Sequence, residues 1–296
     1  MRQTIVDVIC AYLRMPYELP REKNRSEKIR AAQRMARAGR LVTDSKNSDG
    51  LDPHEELQVR LTAQRILAAH LRHSASQQRR WWRGASLSDS FWPDISLDLS
   101  GATLFNFTLV RGHLRDARFN GATFAGETWF GTTTFAGMAQ FKQVTFTDHA
   151  HFGVTSFTDD ASFANAVFDG DARFGRATFA GFAGFSGATF NAAASFIHVT
   201  FAGNIFFADT IFNGESRFSG AVFSSMPKFD SLGLFGQEQH ALQNIDLSGA
   251  RLTAAAMAEV KDMLPPGWHV EPDEQAGGVI RQSSPHSAED NAEGAP

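Results

Sequence analysis

Phenylalanine recurs at a step of eleven residues, from Phe119 through Phe130, Phe141, Phe152, Phe163, Phe174, Phe185, Phe196, Phe207 and Phe218 to Phe229. A second register, offset by five, runs through Phe124, Phe135, Phe146, Phe157, Phe168, Phe179, Phe190, Phe201 and Phe212 to Phe223. A fixed short period of this kind is the mark of a solenoid. Each repeat is too small to enclose its own apolar residue and buries it against the repeats above and below. The 296 residues would otherwise suggest two ordinary domains, but a stacked array grows along one axis and that expectation lapses.

The step between large apolar residues is five from Leu99 through Leu104, Leu109, Leu114 and Phe119 to Phe124, and alternates six and five thereafter. Two positions before most of them stands a small residue, as at Ala102, Ala117, Ala139, Ala161, Ala172, Ala188 and Ala221. Residues two apart on an extended segment share a face, so the large and the small residue both point inward. Between them, outward columns of β-branched residues are expected at Thr123, Thr145, Val167, Thr189 and Ile211 and at Thr134, Ser156, Thr178, Thr200 and Val222. Proline is absent from Gly101 to Met226, as continuous backbone ladders require.

This A-x-[LF]-x-x pattern resembles the pentapeptide-repeat family over Leu99 to Leu252, with units such as Gly121 to Phe124, Ala208 to Phe212 and Ser219 to Phe223. The resemblance implies a mainly β fold, a right-handed four-sided (quadrilateral) parallel β-helix with one five-residue unit per face. This chain departs by one extra residue in every second unit, giving a coil of about twenty-two residues. The extra residue is placed at corners: Glu127, Met138, His149, Asp160, Asp171, Phe182, Ala193, Asn204 and Glu215. Four aromatic ladders follow, one of them Phe119, Phe141, Phe163, Phe185, Phe207 and Phe229, in a rod of about seven coils. Positive φ is expected where glycine follows Asn or Asp, at Asn120-Gly121, Asp169-Gly170 and Asn213-Gly214.

The flanks read differently. Residues 1–80 form a basic α-helical region: Ile5, Val8, Ile9, Tyr12 and Leu13 make one apolar stripe, ended by Pro16 and Pro20. A second helix is expected after Ser26 and a third over Glu55 to Arg72, with Leu57, Leu61, Ile66, Leu67 and Leu71 apolar. Residues 81–98 are the expected N-terminal cap, 99–252 the β-helix, and 253–273 a short capping helix and extended segment. The helix should start at Thr253, run to Leu264 and turn Met257, Val260 and Leu264 to the last coil. Residues 274–296 have the composition of a disordered acidic tail.

Charge is unevenly spread. Residues 1–85 carry seventeen Lys/Arg against nine Asp/Glu, whereas 102–252 carry nine against twelve. The single cysteine, Cys10, excludes an intramolecular disulfide, and no apolar run is long enough to span a bilayer. These features and the lack of a cleavable leader pattern lead us to expect a cytoplasmic protein, with a place at the periphery of the cytoplasmic membrane as the alternative. Some bacterial members of the family have membrane-spanning helices ahead of such a helical region, and this chain reads as a shortened or soluble counterpart.

No nucleophile–base pair, phosphate loop or paired carboxylate is recognisable, and a rod filled with phenylalanine has no natural pocket. We therefore expect no catalytic residues, no cofactor and no metal, and a scaffold or protein-interaction module. His149-x-His151 beside Asp148 lacks the further ligands a zinc site needs. The candidate interaction surface comprises an acidic group, Asp148, Asp159, Asp160, Asp169 and Asp171, and three outward aromatics, Trp129, Phe182 and Phe206. Phe182 and Phe206 are expected to touch and to pack beneath the N-terminal helices. The resemblance also implies an alternative, since some family members mimic duplex DNA and bind type II topoisomerases such as gyrase. The net charge of the repeats, only −3, and the arginines on two faces count against it. The expected partner is a protein. An anionic membrane surface met by the basic helices is a second reading, direct nucleic-acid binding is disfavoured, and a homodimer is compatible with the sequence.

Overall fold

The computed structural model describes residues 1–17, 52–73, 91–225, 227, 245–257, 264, 268–273 and 277–283. Most of them form a parallel β-solenoid of about six turns, with four sheets as the four sides of the coil. Face 1 stacks the strands Leu97–Asp98, Ala117–Arg118, Ala139–Gln140, Ala161–Ser162, Ala183–Gly184 and Ile205–Phe206. Face 2 begins at Thr103–Phe105 and ends at Ile211–Phe212; face 3 runs from Thr128–Trp129 to Ile245–Asp246, and face 4 from His113–Leu114 to Arg251–Leu252. Among the described residues three faces have six parallel strands and face 4 has seven, and the last registers lengthen. Ser216 pairs with Ile245 and Val222 with Arg251, where earlier coils pair Ala150 with Ala172 and Thr145 with Val167.

The phenylalanines fill the interior and are the reason that so thin a rod has a core. Phe119, Phe124, Phe130, Phe135 and their successors are fully buried. Each ring stacks on its equivalent one coil away with centroids 4.6 Å apart at Phe157–Phe179 and 5.2 Å at Phe179–Phe201, planes nearly parallel. Neighbouring ladders meet edge to face, as at Phe141–Phe152, 5.6 Å and 90°. Both geometries suit the aromatic quadrupole. The small partners, among them Ala139, Ala150, Ala161 and Ala172, are buried beside the rings. At Thr155 and Thr210 the small residue is polar, and the hydroxyls donate to Phe130 O (2.9 Å) and Phe185 O (2.8 Å). The outward columns of faces 2 and 4 pair in the expected register, for instance Thr145↔Val167 and Thr178↔Thr200. Phe229 lies outside the described residues.

The corners alternate between two kinds. Three-residue corners such as Thr158-Asp159-Asp160 carry the extra residue. Two-residue turns such as Gly153-Val154 are closed by an N–H···O bond from Thr155 N to Phe152 O, 3.2 Å. The expectation for positive φ needs correction. Gly121 has φ 67°, but Gly170 and Gly214 do not have positive φ. They sit at three-residue corners where coils approach so closely that a Cβ on Gly170 would lie 2.6 Å from Asp148 C, and one on Gly214 2.4 Å from Ala192 C. The left-handed positions recur every eleven residues in the two-residue turns, at Thr132, Gln143, Val154, Asn165, Arg176, His198 and Asp209 as well as at glycines. A non-glycine residue there costs about 1–2 kcal/mol. Hydrogen bonds between coils hold it in place, as from Val154 N to Gly175 O, 3.0 Å.

Two helices close the N-terminal end: α1 (Arg2–Leu13) and α2 (Pro53–Leu71). The stripe expected on α1 is rotated in the structure. Val6, Cys10 and Leu13 are buried, whereas Ile5 and Val8 are exposed. Burial pushes the Cys10 thiol up to about 11. On α2 the buried face includes two polar residues, Arg60 and Gln64, together with Leu67, Ala68 and Leu71. The Arg60 guanidinium donates to Leu13 O (3.1 Å), Met15 O (2.9 Å) and Glu56 (3.0 Å) and lies over the Tyr17 ring. It therefore satisfies the otherwise unpaired C-terminal carbonyls of α1. Two glutamines cap open strand edges. Gln3 Nε2 donates to Ser96 O (2.8 Å) and Gln3 Oε1 accepts from Ser96 N (3.0 Å); Gln64 does the same at Phe105 O and N, both 2.9 Å. Of the cap expected at 81–98, residues 81–90 lie outside the described residues. Its described part contributes Phe91, Trp92 and Ile95, with Trp92 stacked on His70 at 3.9 Å. The helix expected after Ser26 lies outside the described residues.

The C-terminal end also differs from expectation. A short helix, α3 (Ala254–Met257), is capped by Thr253 Oγ1, which accepts from Ala256 N at 3.4 Å; Val260 lies outside the described residues. Two longer strands follow, Trp268–Asp273 and Gly277–Gln282, paired antiparallel, and the second joins Arg251–Leu252. Gly277–Gln282 falls in the stretch assigned from composition to a disordered tail. Val279 and Ile280 supply the apolar reason, Ile280 being buried beneath the last coil. Residues 284–296 lie outside the described residues.

Candidate interaction surface

The five aspartates are not on one edge. Asp148, Asp169 and Asp171 stand at the corner between faces 2 and 3, Asp159 and Asp160 at the diagonally opposite corner between faces 4 and 1. The coil separates them because neighbouring three-residue corners along the chain belong to opposite sides. Each aspartate is also engaged locally. Asp148 accepts from His149 N (2.7 Å), Asp159 from Asp160 N (2.8 Å), Asp160 from Phe182 N (2.9 Å) and Asp169 from Asn191 Nδ2 (2.8 Å). Asp171 pairs with Arg173 at 3.0 Å, and two coils further along the same face Glu215 pairs with Arg217 at 2.6 Å. The arginine beside Glu215 holds that carboxyl below the usual range. Face 3 is therefore largely self-neutralised.

Trp129 stands in the outward column of face 3, between Thr108 and His151. Its ring stacks on His151 at 3.6 Å and its Nε1 donates to Glu127 at 3.1 Å, so it presents an edge to solvent. Burial, and then the nearby Arg173, push the His151 imidazole below its usual value. His149 Nδ1 accepts from Asp171 N at 3.0 Å, which commits one of its two ring nitrogens to the backbone. Among the described residues no group of three or more His, Cys, Asp or Glu is arranged to hold a metal ion.

Phe182 and Phe206 do touch, with centroids 5.3 Å apart. Phe182 lies across Gly184, where a Cβ would meet its ring at 2.6 Å. The pair does not pack beneath α1, which contacts the first strand of face 1, whereas the pair stands at the fifth and sixth strands; the helix expected after Ser26 lies outside the described residues. Phe182 is 37% exposed. Ser162 and Gly184 stand beside the pair on the face, whose other end carries Arg118 and Asp98.

The geometry defines a class, a four-sided parallel β-solenoid whose core is a stack of aromatic rings. Residues 155–200 match the model of the family described as pentapeptide repeats (9 copies). Pentapeptide repeats, lengthened by one residue in every second unit, therefore build this part of the solenoid. Neither a curated protein nor a solved structure matches it. Among the described residues no helix is long and apolar enough to cross a membrane.

Proposed function

We propose that the protein is a non-enzymatic scaffold that binds another protein through face 1, with Phe182 and Phe206 at the centre of the contact. The observation that carries this reading is the exposed Phe182 ring, packed on the half-buried Phe206 above Gly184. Aromatic residues on a rigid support supply contact area at little entropic cost, and such anchors dominate binding energy. The test is affinity capture from the native host with wild-type chain and with a Phe182→Ser/Phe206→Ser variant. A protein retained by the first and lost with the second is expected; equal recovery by both removes the pair from the contact.

The alternative, a DNA mimic directed at a type II topoisomerase, draws less support. It needs acid along one continuous edge, and the aspartates divide between two edges beside paired arginines. A peripheral membrane role is favoured by one feature, the exposed Met1, Ile5, Val8 and Met15 on and beside α1. It predicts sedimentation with anionic vesicles that is lost at high salt. A chain that stays in solution at low salt excludes it.

A further inference from the structure

In a parallel ladder the bridged residue of one strand directs its N–H and C=O away from the strand that brackets it, toward the next level. At the N-terminal end of the rod there is no further level, so four such edges need partners. Three have them. On face 1 both groups of Ser96 are taken by Gln3, and on face 2 both groups of Phe105 by Gln64. On face 4 Arg72 bridges Gly112 antiparallel, and His73 N donates to Arg111 O at 2.8 Å.

Face 3 is different. Its first level is Thr108, bridged to Trp129 by bonds from Trp129 N to Phe107 O (2.8 Å) and from Leu109 N to Trp129 O (2.7 Å). Both of these come from residues flanking Thr108. Its own N–H and C=O point the other way, and among the described residues nothing pairs with them. Thr108 is exposed. It opens into a groove of about 490 Å³ between α2 and the Phe105–Thr108 segment, with Gln58, Leu61, Arg65, Ala69 and Arg72 along the helix side. Among the described residues no carboxylate lines this groove. Among the described residues the Arg65 guanidinium bonds only to its own helix, at Leu61 O and Thr62 Oγ1.

We propose that this edge is a docking site for an extended acidic peptide, which adds a strand beneath face 3 and sets its carboxylates against Arg65 and Arg72. The open N–H and C=O supply the main-chain pairing of strand addition, Leu61 and Ala69 an apolar floor, and the two guanidiniums the preference for acid. The capped edges at Ser96 and Phe105 show what the fourth lacks: there, a side-chain amide takes the place that a peptide group takes here. The site is independent of the aromatic pair on face 1, so either reading can fail without the other.

The test uses the full chain and a short capped peptide alternating threonine and aspartate. The Thr108 amide is expected to exchange rapidly in the free protein and at least about tenfold more slowly with saturating peptide, as a newly bonded amide does. An Arg65→Glu/Arg72→Glu variant with unchanged melting temperature should bind about tenfold or more weakly. The same peptide with lysine for aspartate should not slow the exchange. A Thr108 amide already protected in the free chain, or unmoved by the acidic peptide, overturns the proposal. So does equal binding of a peptide N-methylated along its backbone.

Discussion

Replacing Phe174 by alanine tests the aromatic core at its centre. The ring is fully buried between Phe152 and Phe196, 4.8 and 5.0 Å away and nearly parallel, with the edges of Phe163 and Phe185 at 5.5 and 5.6 Å. Loss of buried apolar area alone costs about 2–3 kcal/mol. A cavity term is added, because the walls cannot collapse: Phe174 N is bonded to Ser195 O at 2.8 Å and Phe152 N to Arg173 O at 2.7 Å, which fixes the coil spacing. The total expected is about 3–5 kcal/mol, toward the upper end. Urea unfolding followed by far-UV circular dichroism measures it, with Phe182→Ala as the surface control at about 1 kcal/mol or less. A cost for Phe174→Ala below about 1 kcal/mol, or no larger than that of the control, would refute the interlocked-ladder account.

The turns, caps and histidines give further tests. Val154 is 54% exposed at φ 60°, so Val154→Gly should raise stability by about 0.5–1 kcal/mol in thermal unfolding, relief of strain exceeding the entropy of glycine. Gly170→Ala should instead destabilise by about 1–3 kcal/mol, because its Cβ would meet the Asp148 and His149 backbone rather than a flexible side chain. Gln64→Leu leaves the Phe105 N–H and C=O buried and unpaired, and a loss of about 2 kcal/mol is expected in the same assay. Burial lowers the folded-state value of His151 and, with His73 nearby, that of His113. The unfolded chain therefore binds these protons more readily, so stability falls as pH drops through the ordinary histidine value near 6.5 and levels off below the folded value. A His113→Asn/His151→Gln variant should flatten that slope in unfolding series taken across this range.

Much of the fold is legible because its information is periodic. The step of phenylalanines sets the coil length, and the small residues two places earlier identify the inward faces. The candidate surface is less legible, because sequence spacing does not say on which side of a coil a corner falls. Asp159 and Asp160 are close to Asp148 and Asp169 in sequence and stand at the opposite edge of the rod. The contact of Phe182 with Phe206 could be inferred from their spacing. That the pair stands near the far end of face 1 from α1 could not.

What the sequence determines by itself is therefore the core: apolar rings at a fixed period can be buried only by stacking, whatever the remaining residues are. Tertiary structure decides the features that depend on bonds made between distant segments. Left-handed φ falls on Thr132, Gln143, Val154 and Arg176, residues with no intrinsic preference for it, because the stacked coils dictate the turn. Gln3 and Gln64 become caps only because α1 and α2 bring them against Ser96 and Phe105, far away in the chain. Thr108 is an ordinary threonine in the sequence. It is an open edge only because three neighbouring edges are closed, and unsatisfied backbone groups can be counted only after every other group has found its partner.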